Sequence, residues 1–383
     1  MQPKKEFLQG FEECFKSVKD SRQASKIDYP LIEILFLSVV AVAGGAFSFG
    51  MIEYFGKAHL EILRSYYPFK NGTPSDDTIR RVFEVVDPKN MNEVLQQYFT
   101  QNWQSEGKHI AIDGKTLKGS KRNHTRDLHM LNVYASGSGL TLFGKIVEAK
   151  TNEITAIPEA LELLDLKGST ITIDAMGCQK NIAQKIIDKE ANYILGLKRN
   201  QALLYNEVER VFSSNAEVFF DMDKEITEDK GHGRVCKRTC RIVTNLAKLP
   251  NVSLWPGSQS IIEMQRETTA KGVTTLSTNY YISSSTDTSA IMMKNIRDHW
   301  KIESMHWMLD VVLKEDASTM SKGNVPANMA IIRRFILNIL TNMKGKRESR
   351  PILMKMIGWS PNYLHKFIDL LMNRSSGDRG FKT

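Results

Sequence analysis

Hydrophobic positions recur along this chain with two different periods. From Gln2 to about Glu106 they return every three to four residues, over Phe7–Lys19, Ile32–Ala43 and Met51–Tyr67, which predicts helices that each bury one face. Pro74-Ser75-Asp76-Asp77 predicts a fresh helix start ahead of Thr78–Val85, because a positively polarised N-terminus favours proline and carboxylates in its first turn. After Gly107 the period falls to two. His109–Asp113, Leu128–Ser136 and Thr141–Glu148 then predict three antiparallel strands joined by polar, glycine-containing turns. A helix (Ala156–Leu164), a strand (Ser169–Asp174), a helix (Gln179–Glu190) and a strand (Tyr193–Leu197) follow in the order that gives parallel pairing. Between Arg199 and Ser285 come a helix and the alternating runs Arg234–Val243, Ser260–Thr268 and Val273–Ile282, the last two joined by a hairpin turn at Ala270-Lys271-Gly272. Helical period returns over Asp287–Leu313 and Asn328–Asn342. A Lys/Arg-rich connector, Lys344–Arg350, leads to a final helix near Pro361–Met372.

The pattern predicts an α/β protein with a mixed sheet flanked by helices. Residues 1–106 form an N-terminal helical unit, 107–198 and 286–345 a core, 199–285 a β-rich insertion, and 346–383 a basic tail or helix. A chain of 383 residues, 42% hydrophobic and 25% charged, has the material for such cores and excludes disordered, collagen-like and disulfide-scaffold classes. The uncharged run Ile34–Phe49 holds Gly44 and Gly45 and falls short of the roughly 20 apolar residues a membrane span needs, so a buried helix is expected and no membrane partner. Four cysteines with no signal peptide ahead of them fit a reducing cytoplasm.

Charge adds a direction. The net charge is +9, and 12 Lys/Arg against 3 Asp/Glu fall in residues 317–383, leaving the rest of the chain balanced. Such a block suits either a polyanion, nucleic acid before membrane, or a merely solvated basic helix.

Candidate chemistry rests on carboxylates. Asp113 follows Ile110-Ala111-Ile112 and precedes Gly114-Lys115, while Asp174 follows Ile171-Thr172-Ile173 and precedes Ala175-Met176-Gly177. Either aspartate alone could serve only to cap a turn; two at the ends of neighbouring strands could share one ion in the crevice there. His299, Glu303, His306 and Asp310, spaced 4, 3 and 4, share one helical stripe. Trp300 and Trp307 lie on an adjacent stripe expected to dock the helix on the sheet, which would carry Glu303 towards both aspartates. Three hard oxygen donors suit Mg²⁺ or Mn²⁺ and phosphoryl transfer. Zinc readings are weaker: Cys236-x3-Cys240 with His232 lacks a second cysteine pair, and His299-x3-Glu303-x2-His306 sets its imidazoles two turns apart.

These residues carry a resemblance. Gly72-Thr73-Pro74-Ser75-Asp76-Asp77-Thr78-Ile79-Arg80-Arg81-Val82-Phe83, Ile112-Asp113-Gly114-Lys115-Thr116-Leu117-Lys118-Gly119-Ser120, Thr172-Ile173-Asp174-Ala175-Met176-Gly177-Cys178-Gln179, Gly231-His232-Gly233-Arg234, and His299-Trp300-Lys301-Ile302-Glu303 through His306-Trp307-Met308-Leu309-Asp310-Val311 to Glu315-Asp316-Ala317 resemble the H-repeat-associated proteins. Those are insertion-sequence DDE transposases with an RNase H-like catalytic core. The resemblance implies that Asp113, Asp174 and Glu303, separated by 61 and 129 residues, are the catalytic triad and the ligands of Mg²⁺ or Mn²⁺. It implies metal-dependent cleavage and transfer of DNA at terminal inverted repeats, by a homodimer on paired ends that also engages target DNA, in a bacterial, cytoplasmic, nucleoid-associated protein. It also implies that DNA is recognised partly by the N-terminal helical unit (1–106), as a DNA-binding domain, and by the basic tail. A catalytically inactive, domesticated DNA-binding relative is the alternative. Relatives in the wider superfamily surround the glutamate with Tyr, Arg and Lys where this chain has Ile296, His299 and Asp310, which leaves Lys314 or Lys118 to replace the lysine. DNA contacts are expected at Lys115, Lys118, Arg234, His299 and Lys314, and at Lys344, Lys346, Arg347 and Arg350 in the connector.

Overall fold

The computed structural model describes residues 11–100, 108–118, 120, 127–147, 153–213, 220–231, 233–343, 345 and 348–372. The N-terminal unit consists of α1 (Phe11–Phe15), α2 (Leu31–Ala43), α3 (Phe49–Ala58), α4 (Leu60–Arg64), α5 (Asp76–Val85) and α6 (Pro88–Thr100). In α2 twelve of the 13 residues are buried, so the longest apolar run in the sequence is the central helix of this unit. Among the described residues no helix is long and apolar enough to cross a membrane. Ser75 caps α5 by accepting the Thr78 N–H, with Asp76 and Asp77 in the first turn.

Then come β1 (His109–Leu117), β2 (Leu128–Ala135), β3 (Leu140–Val147), α7 (Glu153–Glu162), β4 (Thr170–Ile173), α8 (Lys180–Asp188), β5 (Asn192–Leu197) and α9 (Ala202–Ser213). Continuing, β6 (Met222–Gly231), β7 (Arg234–Val243), α10 (Pro250–Ser253), β8 (Ser260–Ala270) and β9 (Val273–Ser283) lead into α11 (Ser289–His299) and α12 (Lys301–Trp307). The last described elements are α13 (Val325–Met343), α14 (Arg350–Trp359) and α15 (Pro361–Leu371).

The described strands form one sheet in the order β3-β2-β1-β4-β5-β9-β8-β7-β6. β1 pairs antiparallel with β2 and β2 with β3, while β1–β4 and β4–β5 are parallel. This is an RNase H-like layout. Its faces follow strand alternation: Ile110, Ile112, Ile171 and Ile173 pack under α7 and α8, and Ala111 faces the helical side.

Three features go beyond the sequence reading. The β-rich insertion shares the core's sheet, because β9 pairs antiparallel with β5 and extends it. Its outer strand β6 went unread because it is an exposed, charge-rich edge with little apolar alternation. At the other end, residues 350–371 are two packed helices that bury Leu353, Ile357, Leu364 and Phe367 in the same core as α2, not a solvated tail. The hairpin turn lies as read, with Lys271 (φ 50°) and Gly272 (φ 76°) as its two left-handed central residues.

Helix α13 joins the parts. Asn328 donates to the carbonyls of Phe83 and Val86 at the end of α5, and Asn338 both donates to and accepts from the Thr141 backbone of β3 at 2.8 Å. The C-terminal helices close on α2 so tightly that a Cβ at Gly358 would stand 2.6 Å from the Gly44 carbonyl oxygen. Gly358→Ala is therefore expected to destabilise the fold by about 1–3 kcal/mol in urea melts, through overpacking against backbone. Gly50→Ala, whose Cβ meets nothing within 4 Å, should leave stability unchanged or slightly raised.

Candidate active site

The parallel ladder of β1 and β4 ends at the pair Ile112↔Ile173, so Asp113 and Asp174 are the next residues in register on strands roughly 4.8 Å apart. Asp113 does not end its strand, as the sequence suggested: β1 runs on to Leu117 beside β2, and Asp113 stands opposite Asn132. Its Oδ1 accepts the Gly114 N–H at 2.9 Å. Asp174 leaves β4 and caps the turn Ala175–Gly177, its Oδ1 accepting from Met176 N (3.0 Å) and Gly177 N (3.3 Å). Turn-capping and a place in the site thus fall to one side chain.

Both aspartates open into a cleft of about 320 Å³ between the strand ends and the helices above. Glu303, in the first turn of α12, lines the facing wall beside His299 and Trp300. The predicted single helix is broken at Trp300, where α11 ends, and its last turn, Met308–Val312, is a π-helix closed by the Leu313 N–H on the Met308 carbonyl. The tryptophans do not dock the helix. Trp300 is 52% and Trp307 55% exposed, and Ile296, Ile302, Met305 and Leu309 do the packing. The stripe was misassigned because an indole reads as core by hydrophobicity alone.

The site is electrostatically tense. Burial, and then the negative charge of Asp174 with those of Glu153 and Glu303, push Asp113 up to about 7 against the lowering effect of the Gly114 N–H. Burial also raises Glu303. Two histidines flank the carboxylates, both favoured neutral by burial. His299 Nδ1 lies 2.8 Å from Thr172 Oγ1, with Asp174 opposing its downward shift. His306 is pushed down to about 3, with the charges of Arg334 and Lys115 adding to burial, and its Nδ1 faces Asp113 Oδ2 at 3.8 Å.

Behind the sheet lies a buried Glu153, its Oε1 2.7 Å from His129 Nε2. A Cβ at position 114 would come within 1.9 Å of that carboxylate, which explains the glycine after Asp113. Sequence reasoning missed this pair, as it missed Asn132, Arg334 and the cleft-lining Lys198. Polar residues inside apolar runs, such as Asn132 in Leu128–Ala135 and Arg333-Arg334 in α13, were the available signal.

The expected DNA-contacting residues separate. Lys115 is 7% exposed, and its ammonium lies among Asp310 (2.6 Å), Asp316 (2.9 Å) and Glu315 (3.5 Å), so it is an internal counterion and no phosphate contact. Strand alternation puts it on the helical face beside Asp113. Lys118 and Lys314 are exposed, the former 3.2 Å from Asp316. His299 is inside the cleft. Arg234 is exposed at the far end of the β6–β7 hairpin, away from the carboxylates. Arg350 is half-buried, bonded to Thr341 Oγ1 at 3.1 Å near the β2–β3 turn. Lys344, Lys346 and Arg347 lie outside the described residues.

Neither zinc reading gains a site. Cys236 accepts from Arg266 and Thr268, Cys240 is in the core with its thiol pushed up to about 12, and His232 lies outside the described residues. Among the described residues no three of His, Cys, Asp and Glu stand close enough to hold a metal ion. The donor set nonetheless fits a hard divalent cation: burial and the charge of Asp174 raise the cost of ionising Asp113 at one end of a water-accessible cleft, and a cation beside it would remove that cost.

Comparison with known proteins gives the family. Residues 12–99 match the DDE_Tnp_1-associated family and residues 104–339 the family described as Transposase DDE domain. The chain is 36% identical to the "Putative transposase YncI" of Escherichia coli O157:H7, over 98% of this chain and 97% of that one. It is 34% identical to the "H repeat-associated putative transposase YhhI" of Escherichia coli K12, over 93% and 97%. Among solved structures, the piggyBac transposase synaptic complex with hairpin DNA overlays 95% of this chain and 77% of its own at a TM-score of 0.44 and 11% identity, too loose a likeness to carry any detail of the site. A chain matched over 104–339 to one family, and along nearly its whole length to curated relatives, belongs to the DDE transposase family.

Proposed function

We propose that this transposase cuts and joins DNA strands at the terminal inverted repeats of its own element, working as a dimer on paired ends. The observation that carries the reading is the placement of Asp113 and Asp174 in adjacent register with Glu303 across one cleft. These three would hold Mg²⁺ or Mn²⁺, which supplies activation of a water or 3′-hydroxyl and stabilisation of the leaving oxygen. The chain's own residues do the rest. Trp300 presents an exposed indole at the rim of the cleft, where a nucleobase can stack, and Lys198 lines the same cleft as a cation for a neighbouring phosphate. Lys118, which follows β1, and Lys314 are exposed cations proposed as further phosphate contacts, and Lys344, Lys346 and Arg347 are proposed as another such group. Lys115 acts from inside, neutralising the acidic cluster of Asp310, Glu315 and Asp316.

Asp113→Asn, Asp174→Asn and Glu303→Gln should each lower cleavage of a repeat-end duplex in Mn²⁺ by about 10³-fold or more, leaving duplex binding near wild type and the protein folded. Cleavage retained by all three would remove the site from the reaction, and duplex binding without cleavage by the wild type would mark a silent DNA-binding relative.

The tension at Asp113 has a pH signature. Its folded-state value of about 7 lies above the ordinary 3.8, so the folded protein binds a proton the unfolded chain releases between those values. The stabilising effect of that proton is present at acid pH and is lost as pH rises through 7. Metal-free wild type should therefore melt lower at pH 8 than Asp113→Asn by a few degrees, with the gap closing towards pH 5 in calorimetry.

Removing Lys118 and Lys314 together should reduce the slope of log affinity against log salt by about 1–2 and weaken all duplex sequences alike, as phosphate contacts do.

A further inference from the structure

Asp113 is approached from two sides. Gly114 N–H holds Oδ1, and His306 Nδ1 stands 3.8 Å from Oδ2, a small side-chain rotation short of a hydrogen bond. What lies behind His306 decides which of its nitrogens carries the proton. Arg334, buried in α13, can only donate, and its Nε points at Asn132 Oδ1 at 2.6 Å. That fixes the Asn132 amide. Its Nδ2 donates to the Met130 carbonyl at 3.0 Å and to His306 Nε2 at 3.3 Å. A nitrogen that accepts is bare, so in the neutral ring the proton sits on Nδ1, the nitrogen aimed at Asp113. Arg334 is itself anchored on Glu315 at 2.8 Å and on the Ala330 carbonyl at 2.9 Å. The chain of bonds therefore has one direction, from a buried ion pair through an amide to the imidazole, whose free Nδ1–H faces the carboxylate at 3.8 Å.

We infer that His306 is a positioning residue, held by Arg334 and Asn132 as an Nδ1–H donor that orients Asp113 Oδ2 and leaves the remaining lone pairs of the carboxylate for a divalent cation. The inference rests on the reading of Asp113 as a metal ligand. It assigns the second histidine of the stripe to the carboxylate's orientation and makes no use of it as a ligand. It also gives the buried guanidinium a purpose beyond packing, since without Arg334 the amide could turn over and offer its oxygen to His306, moving the proton to Nε2.

The test separates donor position from ring bulk. An asparagine at 306 places its amide nitrogen where the ring had Nδ1, whereas glutamine places its amide at the Nε2 position and offers Asp113 no donor. Direct Mn²⁺ binding by electron paramagnetic resonance, without DNA, should show His306→Gln about 10-fold or more weaker than wild type and His306→Asn within about threefold, both melting like wild type. Equal binding by glutamine and wild type, or equal loss in both variants, would overturn the inference. Asp113→Asn serves as the control on the underlying reading: if it binds Mn²⁺ like wild type, the metal assignment fails, whatever His306 does. The ¹⁵N spectrum of wild-type imidazoles reads the tautomer without any substitution. A protonated Nδ1 with a bare Nε2 on His306 is the expected result, and the reverse would overturn the inference even if a variant failed to fold.

Discussion

A guanidinium only 3% exposed, in the middle of an apolar helix, organises the site-bearing side of this fold. Arg334 cannot lose its charge, so every partner it meets must be an acceptor held in place. Glu315, the Ala330 carbonyl and Asn132 fill that role. Removing one partner from such a buried pair typically costs about 3–5 kcal/mol, which makes the arrangement specific even where it adds little net stability. Three elements are fixed by it at once: the rotation of α13, the loop after the π-helical turn, and the face of β2 that carries Asn132 directly across from Asp113. Lys115 repeats the device one step along β1 with Asp310, Glu315 and Asp316, and the two cations share Glu315.

Against that rigid frame the carboxylates are held in an arrangement unfavourable to themselves. Asp174 fills one oxygen with two backbone N–H groups, and Asp113 bears its own burial together with the repulsion of the Asp174 charge. A fold that spends stability in this way at one point keeps it elsewhere, and here the surroundings are an interlocked hydrophobic core that runs from α1 through α13 to α15.

Much of this was legible in the sequence, for identifiable reasons. The alternation in Leu128–Ser136 and the βαβ order after Ala156 gave the sheet topology, because a buried strand or helix face imposes its period on the residues. The aspartates stood out as a pair, each closing a strand-like run, since either one alone could serve only to cap a turn. What stayed hidden depended on partners remote in sequence. Lys115 reads as a surface cation until Asp310, Glu315 and Asp316, some two hundred residues later, surround it. Trp300 reads as core until the helix breaks beneath it and turns the indole outwards. The segment that starts α14 was read as a connector because its basic residues outweighed the apolar face of Arg350–Trp359.

The insertion shows why 129 residues separate the second and third acids. β9 docks on β5 and carries β8, β7 and β6 outwards in the same sheet, so α11 returns over a surface partly made by the insertion. Contacts from β6 then hold it there: Thr227 Oγ1 lies 3.4 Å from Met293 Sδ, and Asp229 Oδ2 lies 3.4 Å from Arg297. On the sheet's inner face, Cys240, Ile242, Ile262 and Met264 pack with Met292, Met293 and Ile296 of the same helix. α11 ends at His299 and Glu303 lies one turn further on, so the height and direction of the glutamate over the aspartates follow from how α11 sits on these strands. The insertion therefore shapes the candidate site in two ways: β9 lines the cleft with Asn279, Tyr280 and Tyr281, and the outer strands fix the wall from which Glu303 projects.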